Sequence, residues 1–151
     1  MNNKNPTLNA SGCRDMTAYE ALRNVAREEK QKSSEKLGYE KVYICSPFAG
    51  DTEVNVENAL KYCRFAVRQG KFPIAPHCYL PRFMDDDNPD ERALALSFGI
   101  RLLYGCRELW VFGNNISAGM KLEITAAEQR GIQIKNFNEN MEEINHGYKE
   151  N

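Results

Sequence analysis

The segment Gly113-Asn-Asn-Ile-Ser-Ala-Gly-Met-Lys-Leu-Glu123 brings several chemically able side chains into one turn and the helix after it. Ser117 is of the type that caps a helix N-terminus. Gly119, in the first turn, leaves the backbone N–H groups open to close approach. A helix start carries unpaired donors and partial positive charge, so it favours an anion, and Lys121 adds a formal charge nearby. An ordinary capped helix accounts for the same residues. Glu123 is flanked by Met120 and Ala127 at helical spacing, which puts it beside the apolar stripe. It reads either as a surface glutamate or as a partly desolvated carboxylate suited to nucleophilic or acid–base work.

A second candidate is His77, in the run His77-Cys-Tyr-Leu-Pro-Arg-Phe-Met-Asp-Asp-Asp87 just after a short apolar strand. Its ordinary pKa suits proton transfer, although a lone histidine more often has a structural role. Asp85 to Asp87 read as solvated loop acids leading into the next helix.

The rest of the chain bounds the chemistry. A length of 151 residues with 42% hydrophobic and 27% charged residues fits one globular domain. A net charge of -1 without a basic stripe argues against a nucleic-acid partner. No apolar run is long enough to span a membrane. Cys13, Cys45, Cys63, Cys78 and Cys106 are irregularly spaced with no CxxC pair, so no metal site is expected. The odd cysteine count and the lack of a signal peptide point to reduced thiols in the cytoplasm. Cys45 and Cys63 read as small core residues.

The elements that must position these groups alternate strand and helix. Strands are expected at Lys41–Cys45, Phe72–Ala75, Glu108–Phe112 and Ile132–Asn136. Helices are expected at Thr52–Gln69, from Asn88 onward, and at Ser117–Arg130. The first of these should bury Val56, Leu60, Cys63 and Val67, and the second Ala93, Leu96, Ile100 and Leu103. Gly99, inside the second, marks close helix–sheet packing. Asn88-Pro89-Asp90-Glu91 is a capped helix start, and Pro73 assigns its strand to a sheet edge. Right-handed crossovers then give an α/β three-layer sandwich, flavodoxin/Rossmann-like, with a small parallel sheet in the order 2-1-3-4. The ligand crevice of such a fold lies at the strand C-termini, between the first and third strands. Residues 1–40 read as a disordered tail plus an amphipathic helix whose stripe runs through Met16, Tyr19, Leu22 and Val25. Residues 41–137 form the domain, and 138–151 a polar tail that contributes little.

Val42-Tyr-Ile-Cys-Ser-Pro-Phe-Ala-Gly50 together with Ser117-Ala-Gly-Met-Lys-Leu-Glu123 resembles the nucleoside 2-deoxyribosyltransferase superfamily. Ser117, Gly119 and Glu123 match the Ser-x-Gly-x-x-x-Glu stretch of its relative, the 2'-deoxynucleoside 5'-phosphate N-hydrolase. The core Lys41–Phe137 also resembles a branch with no assigned function. The resemblance implies an N-glycosidase or deoxyribosyltransferase acting on a nucleoside or its 5'-phosphate, without metal or redox cofactor. Glu123 would be the nucleophile, and Tyr43 would orient it or the sugar. Tyr43 otherwise reads as a strand tyrosine packed under a helix. Ser46, Pro47, Phe48, His77, Ser117, Gly119 and Met120 would surround the substrate. Family members commonly complete the pocket from a neighbouring subunit, which implies a homodimer. One departure is visible: the family's helix aspartate, which assists the departing base, has no counterpart in Ser97-Phe-Gly-Ile-Arg101. A non-catalytic nucleotide-binding or sensing module using the same crevice is the alternative.

Overall fold

The computed structural model describes residues 16–31 and 39–145. The chain divides into two units, 1–38 and 39–151. The described part of the first is one helix, α1 (Met16–Gln31), on which Tyr19, Leu22 and Val25 are exposed. The tail expected over residues 1–12 lies outside the described residues.

The second unit alternates strand and helix: β1 (Lys41–Cys45), α2 (Thr52–Arg68), β2 (Phe72–Ile74), α3 (Pro89–Leu103), β3 (Glu108–Phe112), α4 (Ala118–Arg130) and β4 (Gln133–Phe137). All strand pairs are parallel and the order is β2-β1-β3-β4, as the right-handed crossovers require. β3 is buried at all five positions, and β2, with Pro73, lies at an edge. No described helix is long and apolar enough to cross a membrane.

Alternation along β1 sorts the core into two layers. Val42 and Ile44 face α2 and pack with Tyr62, Ala66, Trp110, Phe112 and Phe137. Tyr43 and Cys45 face the other way and pack with Leu103, Leu109, Val111, Met120 and Ala127. Everything on that second face lies under α3 and α4.

The helix ends follow their sequence signals. Asn88 Oδ1 caps α3 by accepting from Asp90 N at 3.0 Å and Glu91 N at 3.4 Å. Glu91 reaches back to accept from Asp85 N at 2.6 Å, so Asp85 belongs to a tied turn. Ser117 Oγ caps α4 by accepting from Met120 N at 3.3 Å. Gly131 closes α4 in the left-handed conformation, with φ of 68°.

Three expectations need correction. The buried face of α2 is Ala59, Tyr62 and Ala66, whereas Leu60 and Val67 are 53% and 51% exposed. Small residues and a tyrosine face the sheet because the bulky aromatics of β3 and β4 already fill that layer. On α3, Ala93 is exposed, and Gly99 and Leu103 are the buried residues. Residues after β4 do not trail away. Ile144 N donates to Asn136 O at 2.8 Å, Phe137 bridges Glu143, and Met141 packs on the α2-side core.

Candidate active site

The C-terminal edge of the sheet opens between β1 and β3, where the strand order reverses. A cavity of about 320 Å³ lies there on the α3/α4 side. Tyr43, Ser46, Phe48, His77, Ser117, Gly119, Met120 and Glu123 all line it. Pro47 does not. It lines a neighbouring cavity and packs near Gly113, whose φ of 94° lets the chain turn out of β3.

Tyr43 and Glu123 meet across 80 residues of sequence, and Tyr43 Oη donates to Glu123 Oε1 at 2.6 Å. β1 supplies the tyrosine and the second turn of α4 the glutamate. Gly99 of α3 passes over both: a Cβ there would lie 2.8 Å from Tyr43 Oη and 3.6 Å from Glu123 Oε1. Two residues on from Tyr43, and so on the same sheet face, the buried Cys45 thiol lies near enough to Glu123 for each to shift the other's pKa.

Burial raises the pKa of Glu123 above the usual carboxylate value, against the opposing pull of the Tyr43 hydrogen bond and the nearby Cys45 thiol. Burial first, and then the charge of Glu123, drives the Tyr43 hydroxyl well above its ordinary range, so it stays a donor. The Cys45 thiol is pushed up for the same two reasons. The carboxylate is thus held by a neutral donor, the Tyr43 hydroxyl, in a partly dry pocket. Such a group keeps its nucleophilicity while its orientation is fixed.

His77 lines the cavity with its ring largely withdrawn from solvent. Burial pushes its pKa down to about 4, so the ring is neutral at physiological pH. Its Nε2 lies 3.0 Å from Ser46 Oγ in a hydrogen bond that ties the β1 loop to the segment after β2. A neutral imidazole in this position organises the wall and is a poor proton donor to a leaving group.

Lys121 is exposed and lines neither cavity; the cation at the Glu123 cavity is Arg92 of α3. Asp86 also lines this cavity and is its second carboxylic acid. Neither Asp86 nor Arg92 stands out in the sequence, because Asp86 is one of three successive aspartates and Arg92 follows two acids in the first turn of α3. Cys45, by contrast, was readable from the two-residue period of β1. Among the described residues no group of His, Cys, Asp and Glu side chains is arranged to hold a metal ion.

Among solved structures, the fold is similar to that of the 2-deoxyribosyltransferase of the psychrotolerant bacterium Bacillus psychrosaccharolyticus, with a TM-score of 0.56. The two chains are 18% identical, over 74% of this chain and 86% of that one. At that identity the likeness is one of fold. Among curated proteins none matches. A family model covers residues 40–137, the whole sheet with α2, α3 and α4, and the chain belongs to the family that it describes, Domain of unknown function (DUF7768).

Proposed function

We propose that the chain is an N-glycosidase or deoxyribosyltransferase acting on a deoxynucleoside 5'-phosphate or nucleoside, with Glu123 as nucleophile. The observation that carries this reading is the carboxylate of Glu123, held by Tyr43 Oη at 2.6 Å in a cavity at the strand C-termini. In the first step a carboxylate oxygen attacks C1', and the C1'–N bond breaks with its electron pair leaving on the base. Asp86, exposed at the edge of the same cavity, would relay a proton from solvent water to the departing base. Water or a second base then attacks C1' of the glycosyl ester and gives up a proton to solvent through Asp86, which frees the carboxylate and retains configuration.

Ser117, Gly119 and Arg92 would receive the 5'-phosphate. A methyl group at Gly119 would meet Leu96 only at 3.7 Å, ordinary contact, so packing does not itself demand glycine there. A ligand approaching the α4 N-terminus does demand it. Ser46, Phe48 and Met120 would wall the sugar and base, with Pro47 behind the β1 loop.

The sequence Ser97-Phe-Gly-Ile-Arg101 without an acid favours a second reading, a nucleotide-binding or sensing module that does not turn over. Mass spectrometry separates the two. After an acid quench of protein mixed with deoxynucleotide, the peptide containing Glu123 should carry one glycosyl adduct. A panel of deoxynucleotides that leaves this peptide unmodified, despite measurable binding, supports the sensing reading. We further propose that the protein works in the cytoplasm as a homodimer.

A further inference from the structure

A second cavity, of about 640 Å³, opens at the same sheet edge but on the α2 side. Its walls are of a different chemistry. Asn55, Asn58, Asn114, Asn115 and Asn140 line it, and Glu139 is the one charged residue among those lining it. Tyr62 lines it too, although its side chain is only 6% exposed. The tyrosine ring is stacked on Phe112, with centroids 4.1 Å apart and planes 6° from parallel. Among the described residues its hydroxyl finds no hydrogen-bond partner. A buried hydroxyl left without one is unfavourable unless water or a ligand supplies the bond. Burial, and then the carboxylate of Glu139, raise its pKa, so the hydroxyl remains a donor.

The lining residues select the ligand by exclusion and by match. Among the described residues no cation lines the cavity, so a phosphate or carboxylate finds no counter-charge there. The ring of Tyr62 is taken up by Phe112, so no open aromatic face is offered to a flat base. Carboxamides and hydroxyls each present a donor and an acceptor, which is also the pattern of a sugar hydroxyl. Asn55 fixes part of the wall by donating to Phe48 O at 3.1 Å and Ala49 O at 3.0 Å. Ser46, Ala49 and Ser117 are common to both cavities, so one ligand can reach from one into the other.

We propose that the carboxamide-lined cavity binds a neutral, hydroxyl-rich unit, a pentose or hexose, through its asparagines and the Tyr62 hydroxyl. Binding here does not depend on chemistry at Glu123. The test is an amide-detected NMR titration of the full chain with D-ribose, D-glucose, adenine and inorganic phosphate, each at millimolar concentration. A sugar should shift the side-chain amide signals of Asn114, Asn115 and Asn140 saturably. Tyr62→Phe, which keeps the ring stack, should weaken that binding by about threefold to tenfold without lowering the melting temperature. Sugars that shift nothing, or shift only the Ser117–Glu123 side, overturn the proposal, and in the second case leave the Glu123 reading standing. Adenine or phosphate perturbing the asparagines more strongly than sugars, or unchanged sugar affinity in Tyr62→Phe, also overturns it.

Discussion

Glu123 is the residue on which folding and chemistry pull against each other. Its ordinary pKa is 4.5, and in the fold burial raises it. The folded chain therefore binds this proton more tightly than the unfolded chain does. The stability this group lends is fully present below the ordinary value and is lost as pH rises through the raised one. Glu123→Gln, neutral throughout, should be more stable than the parent at neutral pH, since it buries no charge at this position. The gap should close in acid. Urea unfolding across that range measures it, and a parent that is the more stable of the two at neutral pH would refute the assignment. Ser117 makes a second residue-level prediction. A neutral cap at a helix start, with Arg92 on the same cavity, should favour a phosphate through charge-assisted hydrogen bonds of about 1.5–3 kcal/mol each. Calorimetry should show a deoxynucleoside monophosphate binding about tenfold or more tighter than its nucleoside, with added salt narrowing the difference. Ser117→Asp should reduce or invert that preference. Equal affinities in the parent would return Ser117 to the role of a plain cap.

Three elements converge on the site, and their contact is tightest at Gly99. The Tyr43 ring is fully buried in β1 and cannot swing aside, so the 2.8 Å clearance at Gly99 is a hard limit. Gly99→Ala should gain roughly 1 kcal/mol of helix propensity and lose more than that to overpacking, for a net destabilisation of about 1–2 kcal/mol. It should also break the Tyr43–Glu123 hydrogen bond, so activity should fall further than stability does. A variant as stable and as active as the parent would show that α3 does not hold the pair. The close packing of Gly99 was legible in the sequence as a glycine inside a strong helix. So were the four strands and their order, since strand composition, the Asn88-Pro89 start and the Gly131 stop all agree. The face of α2 was not legible. Hydrophobicity there marks Leu60 and Val67, but the aromatic layer of Phe112, Trp110 and Phe137 leaves room only for small or flat neighbours. The site was half legible. Glu123, Ser117 and Gly119 form one contiguous motif, whereas Asp86 and Arg92 reach the cavity through a turn that hydrogen bonds of Asp85, Asn88 and Glu91 hold together. The lowered pKa of His77 was beyond the sequence as well, because it comes from burial by distant segments.

For the whole molecule, α1 presents Tyr19, Leu22 and Val25, with Leu22 68% exposed, along one narrow stripe. A second copy of the chain is the partner we propose for it. Sedimentation at micromolar concentration should give a dimer, and Leu22→Glu should dissociate it; a monomeric parent would contradict this. What the molecule does as a unit rests on whether the held carboxylate turns over substrate. The most direct measurement is release of free base from a panel of deoxynucleoside 5'-monophosphates, by the parent and by folded Glu123→Ala. The parent should release base from at least one of them, and the variant should be slower by about a thousandfold or more. No release by the parent above the uncatalysed rate, or a variant within about tenfold of it, would contradict a nucleophilic Glu123.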